Sequence, residues 1–308
     1  MHAKSIKSGA REREQFGATT NLRGIAHATR RLRDCILTIV DSGDGGAWTV
    51  RQLFYAVSVA GGVEKSEAGY RQVQRQVLEM RRAGLIGYDL VADSTRWVRQ
   101  AVTFKSLDDW LTESLRVLRL NLWRDTDHRV EVWIEKDALA GVVAPVTAAW
   151  HVPLFVTRGY ASETFAFEAA NHANNDGRPF RILYLGDFDP SGVQMGRDLE
   201  RRLRGFLHDS KALHFERIAV TPKQIRNWHL PARPNKLTDT RHDAFVAEFP
   251  GFASTELDSI RPDALRSLIE SEIRSSLDES SIARIEAEEA QARESANAFA
   301  KLLTWKSA

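Results

Sequence analysis

Two carboxylates separated by one residue stand at the end of an apolar segment. Residues 182–192 read Ile-Leu-Tyr-Leu-Gly-Asp-Phe-Asp-Pro-Ser-Gly, so Asp187 and Asp189 directly follow a run of strand-forming residues. The pattern then predicts a helix over residues 193–206, with Ser191 as its cap. Ligands of α/β proteins bind beyond the carboxyl ends of parallel strands, and paired carboxylates suit a hard divalent cation such as Mg²⁺. The alternative is a solvated turn, because Asp, Pro, Ser and Gly are also common turn residues.

A third carboxylate ends another predicted strand. Residues 130–136 read Val-Glu-Val-Trp-Ile-Glu-Lys, with Glu135 near the end. An apolar segment at helical spacing follows over residues 139–150, and a short strand follows over residues 152–156. Strand–helix–strand order predicts a parallel sheet, and one edge of that sheet would collect this glutamate and the two aspartates. The alternative is that Glu135 only forms an ion pair with Lys136 or another neighbour.

This pattern resembles the Toprim domain of topoisomerases, primases and some nucleases. The shared features are a Glu at the end of one strand and the sequence Gly-Asp-x-Asp-Pro-x-Gly after a later strand. The form found here, Tyr-Leu-Gly-Asp-Phe-Asp-Pro-Ser-Gly, is closest to the topoisomerase VI A subunit and the related meiotic double-strand-break transesterase. The resemblance covers about residues 128–260. It implies that Glu135, Asp187 and Asp189 bind Mg²⁺. A later acidic segment, residues 256–258, is a weaker match to further ligands.

A tyrosine in the N-terminal half provides a second motif of the same family. Residues 49–55, Thr-Val-Arg-Gln-Leu-Phe-Tyr, are similar to the segment of topoisomerase VI A-type proteins that carries the DNA-attacking tyrosine. The resemblance implies that Tyr55 is a nucleophile and that Arg51 assists it by stabilising charge. The two residues are four apart, so a helix would place them on one face. The alternative is that Tyr55 is a core aromatic, because its neighbours are apolar.

The residues after this tyrosine predict the rest of a winged-helix module. A helix capped by Ser66 and extending to about residue 83 would carry an apolar stripe and a separate arginine stripe. Residues 85–98 would then form a two-stranded wing. The arginines would contact DNA phosphates, although an arginine stripe is often only a solvated helix face. The expected DNA-binding residues are Arg71, Arg75, Arg82 and Arg96.

The charge of the chain is unevenly distributed. Residues 1–124 contain 20 Lys and Arg against 13 Asp and Glu, whereas residues 125–308 contain 23 against 28, so the formal net charge of +2 hides a basic half and an acidic half. This asymmetry favours a DNA-binding module joined to a carboxylate-rich metal-binding module. It is not typical of an enzyme acting on small molecules.

Length and composition predict about two domains, since 308 residues with 43% hydrophobic content can bury a sizeable core. The predicted fold class is α/β, with a helical winged-helix domain before a Rossmann-like, mostly parallel Toprim sheet. A long loop is expected to cross the sheet over residues 231–243. The predicted organisation is a mobile N-terminus at 1–20, the tyrosine-bearing winged-helix domain at 21–124, the Toprim domain at 128–260 and C-terminal helices at 261–308.

Cysteine content and hydropathy bear on the compartment. The single cysteine, Cys35, excludes a disulfide within the chain, and no Cys/His cluster predicts a zinc site. The sequence shows neither a signal-peptide core nor an apolar run long enough to span a bilayer. We therefore expect no membrane association and a cytoplasmic, nucleoid-associated protein.

The leading hypothesis is Mg²⁺-dependent transesterification of double-stranded DNA, with Tyr55 attacking a backbone phosphate. In the family the tyrosine of one protomer works with the metal site of the other, which implies a homodimer. The sequence contains no GHKL-type ATPase segment, so ATP-driven strand passage would require a separate ATPase partner. One alternative is a hydrolytic nuclease, as in Toprim proteins of plasmid- and phage-defence systems. The other is a non-catalytic DNA-binding subunit.

Overall fold

The computed structural model describes residues 27–92, 101–235 and 238–305. Its centre is a four-stranded sheet in which every strand pair is parallel, and the strand order is β2-β1-β3-β4. The α/β class and the parallel sheet are therefore confirmed. The strands are β1 (Arg129–Ile134), β2 (Leu154–Val156), β3 (Phe180–Leu185) and β4 (Leu213–Ala219).

Helices cover both faces of this sheet. Along β1, Val130 and Val132 point to one face and Trp133 points to the other, and all three are buried. Strands buried on both faces read as nearly continuous apolar runs, which is why β1 and β3 were recognisable in the sequence. On the first face lie α5 (Ala140–Ala149) and α10 (Pro262–Arg274), and on the second lie α6 (Glu163–Asp176) and α7 (Pro190–Phe206).

The strand order places a topological switch between β1 and β3. From β1 the chain continues outward to β2, whereas from β3 it continues in the opposite direction to β4. Connections leave the two central strands toward opposite sides, which opens a crevice beyond their carboxyl ends. This crevice lies where the three predicted metal-ligand residues follow their strands.

The first three helices of the described residues share a separate core that includes Ile36, Leu53 and Val73. Ser66 accepts a hydrogen bond from the Gly69 backbone N–H (3.1 Å), as expected for the cap of the third helix. On that helix the apolar stripe is buried and the arginine stripe is exposed, which confirms the predicted division of its faces. The helices are α1 (His27–Asp41), α2 (Val50–Val59) and α3 (Glu67–Arg82).

The predicted wing is described only in its first half. Residues 88–90 form a single 3₁₀ turn, and Val91 forms an isolated parallel bridge with Trp48. Arg96, which was expected to contact DNA, lies outside the described residues.

Of the remaining helices, one precedes β1 and the others follow β4. The C-terminal helix α10 contributes Leu265 and Ile269 to the core of the sheet and so does not form a separate unit. The predicted loop at 231–243 is irregular in its described part, up to the start of α9. These helices are α4 (Leu107–Val117), α8 (Pro222–Asn227), α9 (His242–Glu248) and α11 (Glu279–Trp305).

None of the helices within the described residues combines the length and the apolar character needed to cross a membrane.

The amino end of α2 is fastened to the segment that precedes α10. Thr49 and Gln52 form a capping box on α2. The Thr49 hydroxyl also donates to Asp258 Oδ1 (3.3 Å), and the Gln52 amide donates to the Ile260 carbonyl (3.2 Å). Capping side chains normally form hydrogen bonds with backbone N–H groups of their own helix. Here they also fix the orientation of α2 against the sheet.

The start of α7 provides a test of this architecture. A Cβ at Gly192 would lie 2.3 Å from the Asp187 carbonyl oxygen, whereas a Cβ at Gly205 on the same helix would meet no atom within 4 Å. We expect Gly192→Ala to lower the free energy of unfolding by about 2 kcal/mol, because the backbone at Asp187 would have to shift. Gly205→Ala should instead raise it by up to about 1 kcal/mol. Urea unfolding measures both, and equal effects would contradict the close approach.

Candidate active site

The carboxyl ends of β1 and β3 bring two of the predicted ligands into direct contact. The backbone N–H of Glu135 donates to the Leu185 carbonyl (2.9 Å), which continues the pairing of the strands by one residue. The backbone N–H of Asp187 then donates to Glu135 Oε2 (3.1 Å). The structure therefore unites Glu135 and Asp187 in the crevice at the topological switch, as the sequence predicts.

A glycine is required between the strand and the first aspartate. A Cβ at Gly186 would lie 2.9 Å from Glu135 Oε2 and 2.9 Å from the Tyr184 ring and hydroxyl. The Gly186 backbone is also held on both sides, since its N–H donates to the Ala219 carbonyl (2.8 Å) and its carbonyl accepts from Val220 (2.9 Å). A Cβ at this position would therefore force the Glu135 carboxylate or the Tyr184 ring to shift.

The second aspartate of the motif caps a helix. Asp189 Oδ1 accepts from the Gly192 backbone N–H (2.7 Å) at the start of α7. The prediction that Ser191 caps this helix is wrong, because Pro190 occupies the first helical position and makes the preceding residue the cap. The Ser191 hydroxyl instead donates to Asp239 Oδ2 (2.7 Å).

The later acidic segment joins the same crevice. Phe188 and Thr255 exchange two backbone hydrogen bonds of 2.9 Å, which lays this segment along the aspartate loop. The Leu257 N–H donates to Asp187 Oδ1 (2.7 Å). Glu256 and Asp258 are only 7% and 2% exposed. The sequence signal for this contribution was the weaker match of residues 256–258 to further ligands of the resembled family.

Lys136 lies among these acids, although the sequence suggested only an ion pair with its neighbour Glu135. Its Nζ is 2.7 Å from Asp258 Oδ2, 3.0 Å from Asp187 Oδ1 and 3.7 Å from Glu256 Oε2. Burial favours the neutral amine, but Asp258 and Asp187 together raise the pKa of Lys136 above its ordinary value. The side chain therefore stays charged at neutral pH and compensates three carboxylates from two segments.

Two arginines complete the charge compensation at Glu256. Arg51 donates from Nε to Oε2 (2.7 Å) and from Nη2 to Oε1 (3.0 Å), a bidentate pair. Arg233, on the loop that crosses the crevice, forms an ion pair with the same carboxylate. Arg51 was predicted to stabilise a phosphate, and in this structure it binds Glu256.

Tyr55 lies beside the cluster but is buried. It is 2% exposed, and Lys65 Nζ lies 5.3 Å from its ring centroid while donating to the Ala232 carbonyl (2.6 Å). Burial raises the pKa of the Tyr55 hydroxyl, and the charges of Arg233, Arg51 and Lys136 oppose that rise. The charges of three cations of the cluster in its own chain therefore act on the hydroxyl.

The protonation of the carboxylates reflects their crowding. Burial, with the charges of Asp187 and Asp189, raises the pKa of Glu135 to about 7. Burial also raises the pKa of Asp187. Two like charges in a poorly solvated crevice disfavour joint ionisation, and a cation between them would relieve this cost.

The three predicted ligand residues fit a divalent cation in their chemistry. Each accepts a backbone N–H at one carboxylate oxygen, and the second oxygen of each accepts no hydrogen bond within the described residues. Such oxygens are the donors that Mg²⁺ prefers. Within those same residues, however, no group of three or more His, Cys, Asp or Glu side chains is already arranged to hold a metal ion. Of the three predicted ligands, only Asp187 contacts Lys136.

Arg217 is a residue of the site that sequence reasoning missed. From β4 its guanidinium donates to the carbonyls of Gly186 (2.9 Å), Asp187 (3.1 Å) and Gly192 (2.8 Å). It thereby holds the turn that carries both aspartates. Burial lowers the pKa of Arg217. No pattern in the sequence connects this arginine to that turn, because the contact depends on β4 lying beside β3.

The predicted DNA-binding arginines form an exposed surface on α3. Arg71, Arg75 and Arg82 are all exposed. The first two line a surface depression of about 530 Å³ at the amino end of the helix, together with Gln72. Glu64 and Ser66, which also line the depression, flank Lys65, whose ammonium lies over the Tyr55 ring. The depression therefore lies beside the segment that packs on Tyr55.

The raised pKa of Glu135 predicts a pH dependence of stability. Its ordinary value of 4.5 applies to the unfolded chain and about 7 to the folded one, so the unfolded chain loses its proton first. Stability from this group is therefore present below pH 4.5 and is lost as the pH rises to about 7, at a cost of about 3 kcal/mol. We expect Glu135→Gln to abolish this loss, measured by urea unfolding in EDTA at pH 5 and pH 8.

The exposed Glu168 provides the matched control for this measurement. Glu168→Gln should lose stability between pH 5 and pH 8 as the wild type does. A wild-type protein that is equally stable at both values, or a Glu135→Gln variant that keeps the full loss, would contradict the crowding of Glu135 and Asp187.

The comparisons with known proteins do not assign a family. No protein-family model matches the chain, and a search of the curated proteins finds no match. The resemblance of the Gly-Asp-Phe-Asp-Pro-Ser-Gly segment to Toprim proteins therefore remains a hypothesis for this chain.

Proposed function

We propose that this protein cleaves phosphodiester bonds in double-stranded DNA, using Mg²⁺ held by Glu135, Asp187 and Asp189. The observation that carries the proposal is the direct contact of Glu135 and Asp187 beyond adjacent parallel strands at the topological switch. A Toprim domain over residues 128–260 and a winged-helix domain over residues 21–124 belong to this proposal. The parallel sheet and the three-helix unit are the features that support them.

The proposed reaction divides its work among a few groups. A bound Mg²⁺ would supply positive charge to the phosphate oxygens as negative charge develops. Backbone N–H groups orient one oxygen of each ligand carboxylate, so the ligands need little rearrangement. Arg217 keeps the aspartate turn in place through three carbonyls. Preorganisation of this kind reduces the cost of reaching the transition state.

The exposed arginines of α3 supply the proposed contact with DNA. Guanidinium groups bind phosphate oxygens in pairs of hydrogen bonds, and contacts of this kind position DNA without reading its sequence. The basic excess of residues 1–124 adds long-range attraction. The depression beside Arg71 and Arg75 would receive the backbone close to Lys65 and the crevice.

The burial of Tyr55 favours water as the nucleophile. A tyrosine that is 2% exposed cannot reach a phosphate while α2 stays docked on the segment from Glu256 to Ile260. Water reaches an open crevice without any such movement. The burial of Tyr55 therefore supports the hydrolytic form of the proposal, in which Tyr55 has a packing role.

A specific observation also supports transesterification by Tyr55 as a second candidate. The cations that bear most on its hydroxyl, Arg233, Arg51 and Lys136, belong to the same chain and surround the carboxylate crevice. Cations near a tyrosine oxygen favour the attacking phenolate. This route requires α2 to separate from Glu256, and the homodimer implied by the resemblance would provide a binding surface for the released helix.

The remaining parts of the proposal concern partners and compartment. The resemblance supports double-stranded DNA as the substrate and a separate ATPase partner if strand passage takes place. A cytoplasmic, nucleoid-associated location follows from the same argument. Size-exclusion chromatography with light scattering, with and without DNA, would test the homodimer.

Cleavage by variants separates the two nucleophiles. We expect Asp187→Asn to reduce Mg²⁺-dependent DNA cleavage by at least about 100-fold, because it removes a ligand charge. Tyr55→Phe should keep the wild-type rate if water attacks, and should lose every covalent protein–DNA adduct if the tyrosine attacks. Cleavage is followed on plasmid DNA, and adducts are followed after denaturation. Tyr70→Phe is the matched control, since Tyr70 also contacts Phe54 and Arg51. Wild-type cleavage by Asp187→Asn would refute the proposed metal site.

The arginine stripe can be tested by DNA affinity in the full chain. We expect simultaneous replacement of Arg71, Arg75 and Arg82 by Ala to weaken binding to duplexes of unrelated sequence equally. The salt dependence of log K should fall by about 0.9 per lost phosphate contact. Unchanged affinity would show that the stripe is only a solvated face. The matched control replaces three exposed arginines of the sheet half, Arg197, Arg201 and Arg274.

A further inference from the structure

The ammonium of Lys136 lies among three carboxylates. It contacts carboxylates from two segments of the chain, at distances of 2.7 to 3.7 Å. Its side chain is 22% exposed, so the ammonium lies inside the crevice and not on the protein surface. The acids around this lysine are Asp187, which is one of the proposed metal ligands, and Glu256 and Asp258.

Asp187 shows why the lysine and a metal ion compete. A carboxylate oxygen has two lone-pair positions. At Asp187 Oδ1 one position accepts the Leu257 N–H (2.7 Å) and the other faces Lys136 Nζ (3.0 Å). A cation at this oxygen must remove the lysine. A cation at Oδ2, about 2.1 Å from its ligand, would remain within a few ångströms of the ammonium, in a crevice where water screens charge poorly.

We propose that Lys136 is an internal counterion that a divalent cation displaces, so that this lysine sets the affinity of the site for metal. The proposal rests on the carboxylate metal site of the proposed function, but not on DNA cleavage. Without metal, the ammonium offsets the repulsion among Asp187, Glu256 and Asp258. When the cation binds, the flexible lysine side chain leaves Asp187 and moves toward solvent.

Binding of Mn²⁺ tests the proposal directly, because carboxylate sites for Mg²⁺ also accept Mn²⁺. We expect Lys136→Met to bind Mn²⁺ at least about tenfold more tightly than the wild type, because a competing charge a few ångströms away is removed. Electron paramagnetic resonance of free Mn²⁺ provides the affinities for the full chain. Equal or weaker binding by Lys136→Met would overturn the proposal.

Removal of any nearby positive charge could raise metal affinity, so a matched control is required. Arg233 pairs with Glu256, and its charge also reaches Tyr55, but no contact joins it to Asp187. Arg233→Met should therefore change the Mn²⁺ affinity by less than about threefold. If Arg233→Met gained as much Mn²⁺ affinity as Lys136→Met, the gain would come from the general loss of positive charge and not from displacement of Lys136. That result would overturn the proposal.

Lys136→Met leaves buried acids without their counterion and will unfold at a lower temperature in EDTA than the wild type. If displacement takes place, saturating Mn²⁺ restores the melting temperature of this variant more than it raises that of the wild type. An Mn²⁺-induced shift no larger than that of the wild type contradicts the proposal.

Acylation of the wild type makes the test independent of any variant that fails to fold. Lys136 should react slowly with an amine-directed acylating reagent in EDTA and at least about threefold faster with saturating Mn²⁺, because its ammonium leaves the acids. The exposed Lys211 serves as the internal reference. Unchanged labelling of Lys136 while Mn²⁺ binds overturns the displacement and leaves the metal site intact.

Asp187→Asn separates this proposal from the proposed function. One outcome is that this variant loses Mn²⁺ binding and that Mn²⁺ speeds the labelling of Lys136 in the wild type, while the wild type does not cleave DNA. This outcome supports displacement of Lys136 and refutes the proposed nuclease. If Asp187→Asn binds Mn²⁺ as tightly as the wild type, the ion lies elsewhere and both proposals fail. If the wild type and Lys136→Met both fail to bind Mn²⁺, both proposals fail as well.

Discussion

The structure depends on the burial of several carboxylates at one edge of a parallel sheet. Isolated ionised carboxylates are costly in a poorly solvated crevice, so the chain must supply positive charge or keep a proton. It does both. Lys136 and the arginines neutralise the acids of the segments after β3 and before α10, while the raised pKa of Glu135 retains a proton up to about pH 7. The contact between the N-terminal helices and the sheet half of the chain depends on this balance of buried positive and negative charge.

Charge compensation is also what joins the two halves of the chain. Arg51, from the first turn of α2, supplies a bidentate pair to Glu256, and Thr49 donates to Asp258. At a second junction the sheet half supplies the positive charge and the N-terminal half the negative charge. Arg266 from α10 donates to Asp44 Oδ2 (2.8 Å) and to the Ala47 carbonyl (3.2 Å). The tyrosine helix is therefore held at its amino end by Glu256 and Asp258. Lys136 joins these two acids to Asp187, one of the proposed metal ligands, so helix docking and the proposed metal site are linked through this lysine.

Sequence patterns were sufficient for the parts of the molecule with local signals. The strands β1 and β3 are apolar runs buried on both faces, and Gly-Asp after β3 marks the crevice because only glycine fits beside Glu135. Strand β4 was missed, since its Leu-His-Phe-Glu-Arg-Ile-Ala sequence mixes charge with apolar residues at a sheet edge. The roles of Lys136 and Arg217 were also missed. They arise from contacts with segments distant in sequence, which single-chain patterns do not encode.

The link through Lys136 also bears on the two proposed nucleophiles. A cation that displaced Lys136 would take one positive charge away from Glu256, and Glu256 would keep its bidentate pair with Arg51. The amino end of α2 would also keep the contacts of Thr49 and Gln52. Tyr55 lies four residues after Arg51 on this helix, so the proposed covalent attack by this tyrosine would require a separate release of α2. The proposed hydrolysis needs no such step.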